Sequence, residues 1–371
     1  MREIIKRIVL AAAMVALLAP SALAGGKLLL GVAGAHSGDL ASYGLPTVNA
    51  AQLVADKVNA AGGVLGMTVV VVPQDDQCKP ELATNAATKL LSDGVKIVIG
   101  HICSGATKAA LPIYLDSEMV LLSPSATNPP LTQSGEYPNF FRTIAPDDAQ
   151  AALEVSFAKK LGLKKLAVIH DKGDYGKGFA EFCKQFLDMD SSMEVVLFEG
   201  VTPGAVDYSA VVQKIKSVNA DGVIFGGYHP EASKIIMAMR KKGLDLPFLS
   251  DDGVKDDTFI KVAGQYAEGV YATGPKDFSK NPLFQEAVAA HKKAFGSDPG
   301  AFFPEAYSAA LALLKAVENA GGTDYAKVCE ALRNNYVDTA VGKIKFDAKG
   351  DAEGVGFSMY QVKDGKYAQI K

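Results

Sequence analysis

The stretch KIVIGHICSGATKAALPIY, residues 96–114, contains a structural unit that recurs along most of the chain. An apolar run ends at Gly100, and a short loop then leads into a helical pattern over 105–117. Continuous runs of branched apolar residues are typical of strands buried on both faces of a sheet. The stretch therefore predicts a parallel strand followed by a helix that covers the sheet.

The loop between these two elements contains His101, Cys103 and Ser104, which are residue types used in nucleophilic catalysis. The chain has no G-x-S-x-G elbow of a hydrolase, and Ser104 has no obvious base. One interpretation is that the Ser104 hydroxyl caps the following helix, worth roughly 1 kcal/mol. The other is that free N–H groups at the helix start bind an anion, with Ser125 and Thr127 offering further donors.

The same alternation of apolar runs and helical patterns extends over most of the sequence. Strand-like runs occupy 27–35, 67–76, 96–102, 119–126 and 139–145, then 165–171, 195–201, 221–228, 247–253 and 269–275. Helical patterns lie between them at 47–61, 80–92, 105–117, 175–186, 208–217 and 231–242. Long helices follow at 282–295, 304–319 and 325–334, before short strands at the end. We expect two doubly wound α/β units in series.

The first 24 residues have the pattern of a secretory signal peptide. A basic start with Arg2, Lys6 and Arg7 precedes an apolar stretch over 8–18 and a small-residue ending at Ala24. This stretch is too short to span a membrane, and no cysteine follows the cut site to carry a lipid anchor. We expect cleavage after Ala24 and a soluble periplasmic protein.

Size and charge narrow the possible partners. Without the first 24 residues the chain has 35 basic and 40 acidic residues, so a basic face for nucleic acid is not expected. About 347 residues exceed one comfortable core, which favours two domains. The five histidines lack metal-ligand spacing, and the glycines of GVAGAHSG do not match the dinucleotide-binding pattern. We expect no cofactor and no metal.

Four cysteines, Cys78, Cys103, Cys183 and Cys329, lie in a compartment that permits disulfides. Each of them is equally compatible with a small buried apolar residue. Cys78 and Cys103 follow strand-like runs that we expect to be adjacent, and a bond between them would close a 25-residue loop. The chain-entropy contribution of such a bond is about 3.5 kcal/mol.

Other polar and aromatic side chains follow predicted strands, where ligands bind in open α/β sheets. Tyr43, Tyr175 and Tyr228 are each at such a position, although tyrosines there also serve as core or rim residues. Asp251 and Asp252 precede a glycine and are equally typical of a turn. The residue types alone leave both interpretations open.

Together these residues resemble the periplasmic binding proteins for branched-chain amino acids, the solute receptors of ABC transporters. The resemblance runs from the mature start to the C-terminus. It rests on these motifs, in the family's order and spacing: GAHSGDLASYG, DDQC, VIGHICSGAT, LLSPSATNP, AVIHDKGDYGKG, GGYHPE and GAFFPEAYSA.

The resemblance implies a type I fold of two doubly wound lobes joined by three crossovers. After a signal peptide at 1–24, residues 25–144 and 276–354 would form the first lobe, and 145–275 and 355–371 the second. Such a protein is expected to be a monomer that closes on its ligand, performs no catalysis and delivers the ligand to an inner-membrane permease.

The resemblance also implies roles for individual residues. It pairs Cys78 with Cys103 in a disulfide. It places the ligand carboxylate on Ser104 and on the backbone at Ser125 and Thr127. The ligand ammonium would bind Asp252, assisted by Thr127. The side-chain pocket would be walled by Tyr43, Tyr175, Tyr228 and Phe302.

Three departures from the usual family pattern involve four residues. Asp252 stands where glutamate is frequent, which shortens the reach to the ammonium. Ser125 stands where alanine is common, and Pro304 and Glu305 replace residues that are usually neutral near the pocket. Glu305 is accordingly the next candidate for the ammonium if Asp252 does not bind it.

The expected ligand is a free aliphatic, branched-chain L-amino acid. Alternatives are another small carboxylate, an amide or an aromatic acid on the same scaffold, or a sensor subunit instead of a transport receptor. An enzyme of the same two-lobed build would need a base near Ser104 or His101.

Overall fold

The computed structural model describes residues 25–370, so the predicted signal peptide and its cleavage after Ala24 lie outside the described residues. Within this range the chain forms a five-stranded sheet, a seven-stranded sheet and a two-stranded ribbon. No helix in the same range is long and apolar enough to cross a bilayer.

The first sheet is wholly parallel, with the order β2-β1-β3-β4-β5. Its strands are β1 (Lys27–Gly34), β2 (Thr68–Asp75), β3 (Ile97–Ile99), β4 (Val120–Ser123) and β5 (Phe140–Arg142). The helices between them are α1 (Ala41–Ala60), α2 (Pro80–Ser92), α3 (Ser104–Asp116) and α4 (Pro130–Gln133). Ile97 and Ile99 face one apolar cluster and Val98 faces another, so both faces of the sheet are buried, as predicted.

The second sheet has the order β14-β13-β10-β9-β8-β6-β7. Five of its strands, all parallel, are β6 (Lys165–His170), β7 (Glu194–Gly200), β8 (Gly222–Gly226), β9 (Phe248–Ser250) and β10 (Tyr271–Pro275). The helices are α5 (Asp147–Lys160), α6 (Asp174–Asp188), α7 (Ser209–Ser217), α8 (His229–Lys241) and α9 (Asp257–Ala263). Apolar clusters again cover both faces.

The remaining elements return to the two sheets in turn. The helices α10 (Pro282–Phe295), α11 (Phe303–Ala320) and α12 (Tyr325–Asn334) pack with α1 on the first sheet. The ribbon of β11 (Val337–Thr339) and β12 (Gly342–Ile344) lies against α11. The last strands, β13 (Phe357–Lys363) and β14 (Lys366–Gln369), are antiparallel and extend the second sheet.

The chain therefore crosses between the sheets three times, after β5, after β10 and after β12. The elements of the first sheet and its helices fall within 25–144 and 276–354, and those of the second within 145–275 and 355–370. We refer to these two groups as lobe 1 and lobe 2. The exact residues at which the chain passes from one lobe to the other stay predictions.

Three helices that the apolar pattern did not predict are α4, α5 and α9, and α1 begins six residues earlier than predicted. The helix α3 begins at Ser104 itself, and no side chain caps it, so the capping role considered for Ser104 is wrong. The other predicted helices and strands are present with small shifts at their ends.

The Cys78–Cys103 disulfide is present, with Cα atoms 5.4 Å apart, inside the usual range. The expectation that these cysteines follow adjacent strands is wrong, because β1 lies between β2 and β3 in the sheet. Cys183 and Cys329 are free and buried in the clusters of different lobes.

Candidate functional site

A buried histidine, His101, anchors the loop after β3 through two side-chain hydrogen bonds. The His101 ring is fully buried, with Nδ1 2.5 Å from Asp76 Oδ2 and Nε2 2.9 Å from the Tyr114 hydroxyl. Since the carboxylate can only accept, Nδ1 donates to it and Nε2 accepts from the tyrosine. Both ring nitrogens are therefore engaged, and His101 is not available as a base for Ser104.

The polar residues after β3 and β4 come together on the lobe 1 side. Ser104 Oγ accepts a hydrogen bond from the backbone N–H of Asn128 at 3.3 Å, and Ser125 Oγ donates to the Ile102 carbonyl at 2.8 Å. Thr127 Oγ1 is buried and has no hydrogen-bond partner among the described residues. The three residues that the sequence analysis assigned to a carboxylate thus lie close together, at the start of α3 and in the loop after β4.

The loop that contains Ser125 and Thr127 is fixed in place by Arg142 at the end of β5. The buried guanidinium donates to the carbonyls of Ala126 at 3.2 Å and Asn128 at 2.9 Å, and it pairs with Asp351. A rigid loop positions backbone donors without an entropic cost at the moment of binding.

Lobe 2 supplies Asp252, which begins a short turn, Asp252–Val254, directly after β9. The Tyr175 hydroxyl donates to Asp252 Oδ1 at 2.5 Å and accepts the Gly253 N–H at 2.8 Å. A Cβ at Gly253 would lie 2.6 Å from the Gly227 carbonyl oxygen, so this position has no room for a side chain. Tyr175 and the backbone together fix the orientation of the carboxylate.

The second oxygen of Asp252 is available for a ligand. The side chain is only 2% exposed, and Oδ2 has no hydrogen-bond partner within residues 25–370. Burial raises the pKa of this carboxyl, whereas the Tyr175 hydroxyl and the nearby Gln150 amide lower it, although the amide does not reach hydrogen-bond geometry. A buried anion that lacks a partner favours a cation placed against it.

A second buried acid reinforces this preference. Neither oxygen of Asp147, the first residue of α5, is hydrogen-bonded to a described residue. Burial, and then the charge of Asp252, raises the pKa of the Asp147 carboxyl well above its usual range. The nearby Thr127 hydroxyl and the Arg142 cation lower this pKa, although the hydroxyl does not reach hydrogen-bond geometry. The sequence analysis did not identify Asp147, although it closely follows the strand-like run 139–145, because none of the motifs that carry the resemblance contains it.

Aromatic rings form the wall between the two lobes. The Tyr228 ring lies 5.9 Å from that of Tyr43 and 5.1 Å from that of Tyr175, and the Phe302 ring is 5.9 Å from Tyr43. Phe302 has a left-handed backbone (φ 58°) at the residue before α11, an uncommon conformation for an aromatic residue that often marks functional sites.

The lobes touch each other at this wall. The Tyr43 hydroxyl of lobe 1 donates to the Gly253 carbonyl of lobe 2 at 2.5 Å. At the rim, Lys108 pairs with Asp174 at 2.7 Å, and Asn128 Nδ2 donates to the Asp174 carbonyl at 2.5 Å. The structure is therefore a closed arrangement of the two lobes.

Six of the eight predicted ligand residues line one cavity between the lobes. They are Tyr43, Ser125, Tyr175, Tyr228, Asp252 and Phe302, and the sequence analysis missed two further lining residues, Ile102 and Gly253. Of the other two predicted residues, Ser104 begins α3 directly after the loop that contains Ile102, and Thr127 lies in the same loop as Ser125. The free space is about 10 Å³, room for one water molecule. Groups of three or more metal-binding side chains do not occur in the described part of the chain.

Comparison with known proteins gives a consistent picture. The periplasmic binding protein family model matches residues 28–366. The leucine-, isoleucine-, valine-, threonine- and alanine-binding protein of Pseudomonas aeruginosa is 36% identical over 363 residues, covering 97% of this chain and 97% of the relative.

Two solved structures are similar over nearly the whole described chain. A leucine-binding protein of Thermotoga maritima superposes with a TM-score of 0.84 at 27% identity, covering 93% of this chain and 98% of that protein. A branched-chain amino acid transporter substrate-binding protein of Streptococcus pneumoniae, in complex with isoleucine, gives 0.82 at 26% identity, covering 93% and 100%.

Proposed function

The chain belongs to the periplasmic binding protein family and has its type I, two-lobed fold, and on that premise we propose that it captures a free aliphatic L-amino acid between its lobes. The observation that carries the proposal is the unpartnered, buried Asp252 Oδ2 beside a mainly aromatic cavity. A relative and a solved neighbour whose names refer to branched-chain amino acids support the same ligand class.

The carboxylate of the ligand binds on the lobe 1 side. Its partners are the Ser104 hydroxyl and backbone groups at Ser125 and Thr127. The free N–H groups in the first turn of α3 stabilise a negative charge beside them, because the helix dipole adds to their hydrogen bonds. This assignment is supported by the hydrogen bonds with which Arg142 fixes the loop after β4.

The ammonium of the ligand binds on the lobe 2 side. Asp252 supplies the charge, and the unpartnered Thr127 hydroxyl supplies an additional acceptor from lobe 1. The two charged ends of one zwitterion therefore engage opposite lobes. Since only the closed arrangement makes both sets of contacts, binding shifts the equilibrium towards closure.

The side chain of the ligand contacts Tyr43, Tyr175, Tyr228 and Phe302. Apolar pockets discriminate only about 1–3 kcal/mol per methylene, so leucine, isoleucine and valine all bind. Ligand pockets usually measure about 300–1,000 Å³. A bound amino acid therefore requires a slightly wider closed arrangement than the one in this structure, in which both lobes contact the ligand but the Tyr43–Gly253 hydrogen bond is open.

The mature protein is a periplasmic monomer that starts near Gly25 and presents its closed form to an ABC transporter permease. The basic and apolar pattern of residues 1–24 and the family membership support this assignment. Mass spectrometry of the protein from a periplasmic extract gives the cut site, and a mature N-terminus other than Gly25 contradicts it.

Calorimetric titration of the mature protein with leucine, isoleucine, valine, alanine and phenylalanine tests the ligand class. We expect one site per chain and the strongest binding by branched-chain ligands. Absence of heat with all five amino acids, together with clear binding of a small acid that is not an amino acid, contradicts the proposal.

A further inference from the structure

A second and larger cavity lies between the lobes on the hinge side of Asp252. It has a volume of about 410 Å³ and shares Asp252 and Phe302 with the cavity described above. Pro275, the last residue of β10, and Phe278, in the crossover after it, form one side of the cavity. A ligand whose ammonium is bound by Asp252 can therefore direct a side chain to either cavity.

One wall of this hinge-side cavity carries a buried carboxylate from lobe 1. Glu305, in the first turn of α11, is only 4% exposed. The Thr143 hydroxyl donates to its backbone carbonyl at 2.9 Å, whereas no side chain in the described range donates to its carboxylate. Burial raises the pKa of Glu305 to about 7, while its own backbone N–H and the Lys255 cation act in the opposite direction. The carboxylate lines the cavity, so a ligand there can donate a hydrogen bond to it.

The same cavity is lined by a lysine from lobe 2. Lys255 Nζ lies 4.4 Å from the ring centroid of Tyr360 and 6.0 Å from that of Tyr367, which stabilises the cation by cation–π contacts. Burial lowers the pKa of Lys255, and the charge of Glu305 raises it. The charge of each group shifts the pKa of the other. They do not form an ion pair, because no Glu305 oxygen lies within 4 Å of Lys255 Nζ among the described residues.

We propose that this hinge-side cavity is a subsite for a carboxamide side chain, so that the protein also binds L-glutamine. The inference rests on the proposed function, because it assumes that Asp252 binds the ligand ammonium. A carboxamide oxygen accepts from Lys255, and its NH₂ group donates to Glu305, so one neutral group satisfies both residues and connects the lobes.

Singly charged side chains fit the pair less well. An ammonium side chain satisfies Glu305 but meets the Lys255 cation, and a carboxylate side chain satisfies Lys255 but meets Glu305. An aliphatic side chain leaves both groups as they are and gains only the aromatic walls. The subsite therefore selects a neutral group that both donates and accepts.

Calorimetry with L-glutamine, L-glutamate, L-lysine and L-leucine tests the inference. The wild-type protein is expected to bind glutamine at least 10-fold more tightly than glutamate or lysine. Lys255→Met and Glu305→Met, which keep side-chain length, are each expected to weaken glutamine binding 10-fold or more and leucine binding less than 3-fold. Retained leucine binding shows that the variants are folded.

Asp277→Asn is the matched control. Asp277 lines the same cavity, but its carboxylate already accepts from the Ser279 N–H at 2.8 Å and the Ser279 hydroxyl at 3.0 Å. This variant is expected to change glutamine affinity less than 3-fold.

Binding of leucine without measurable binding of glutamine overturns the subsite and leaves the proposed function in place. Glutamine binding that neither methionine variant weakens also overturns the subsite. Failure of leucine and of every other amino acid overturns both proposals.

Discussion

Replacing Asp252 by asparagine removes the charge that the ligand ammonium needs while keeping the shape of the site. The asparagine oxygen can still accept from the Tyr175 hydroxyl, so the local geometry is retained. The side chain is 2% exposed and its free oxygen has no other described partner, so the full charge pair is lost on substitution. Breaking such a pair costs about 2–5 kcal/mol, or roughly 30- to several-thousand-fold in affinity.

The folded protein itself is not expected to suffer from this change. Burial raises the pKa of Asp252, so at neutral pH the native state holds a carboxylate that it disfavours relative to the unfolded chain. Asp252→Asn is therefore expected to melt at the same temperature as the unliganded wild type or at a higher one. Calorimetry for affinity and a thermal melt for stability separate the two effects.

Asp251→Asn is the matched control for this prediction. Asp251 is equally buried, but its Oδ2 accepts from the Gly227 N–H at 2.7 Å and it does not line the ligand cavity. We expect the amino-acid affinity of Asp251→Asn to stay within a few-fold of wild type. Equal and small losses at both positions would show that the ammonium binds elsewhere, with Glu305 as the next candidate.

Three further outcomes follow from the same contacts. Ser104→Ala is expected to weaken amino-acid binding by about 1.5–3 kcal/mol, measured by calorimetry, since it removes a hydrogen bond to a charged group; labelling of Ser104 by a serine-reactive phosphonate would contradict a binding role. Peptide mapping without reductant is expected to show the Cys78–Cys103 bridge and free thiols at the other two cysteines; a bridge between those two would refute the assignment. Glu305→Gln is expected to become more stable relative to wild type as pH rises from 5 to 8. The pKa of Glu305 is about 7 in the folded protein against 4.5 for an ordinary glutamate, so ionisation above pH 7 costs the folded wild type up to about 3 kcal/mol. Urea unfolding at the two pH values measures this difference, and an equal difference at both would contradict it.

The strands were predictable because their chemistry is simple. Both sheets are covered by helices on both faces, so each central strand is a continuous apolar run. The helix α5 was not predictable in this way, since its buried face includes Asp147, Gln150 and Glu154. Polar residues on the buried face remove the apolar periodicity by which a helix is recognised.

The start of α1 was misjudged for a related reason. Gly44 and Pro46 lie in its first two turns, and both residue types usually mark loops. A Cβ at Gly44 would lie 1.9 Å from the Ala35 carbonyl oxygen, so the glycine serves close packing. Pro46 is the sixth residue of α1, so it removes one intrahelical hydrogen bond, yet the helix continues through it to Ala60.

The predicted ligand residues came from motif resemblance, and their convergence on one cavity follows from strand order. Lys255 could not be found in the same way, because a single lysine in a polar segment has no pattern that distinguishes a buried position from an exposed one. Glu305 was noticed only as a departure from the family pattern. Its relation to Lys255 depends on the packing of two lobes, which no local sequence pattern encodes.

A crystal structure of the mature protein grown with L-leucine tests the central claim most directly. The account predicts the ligand ammonium within about 3.2 Å of an Asp252 carboxylate oxygen and the ligand carboxylate at Ser104 and the backbone of Ser125 and Thr127. It also predicts that the Tyr43 hydroxyl no longer reaches the Gly253 carbonyl. A leucine bound in the reverse orientation, or outside the cleft between the lobes, would contradict the account.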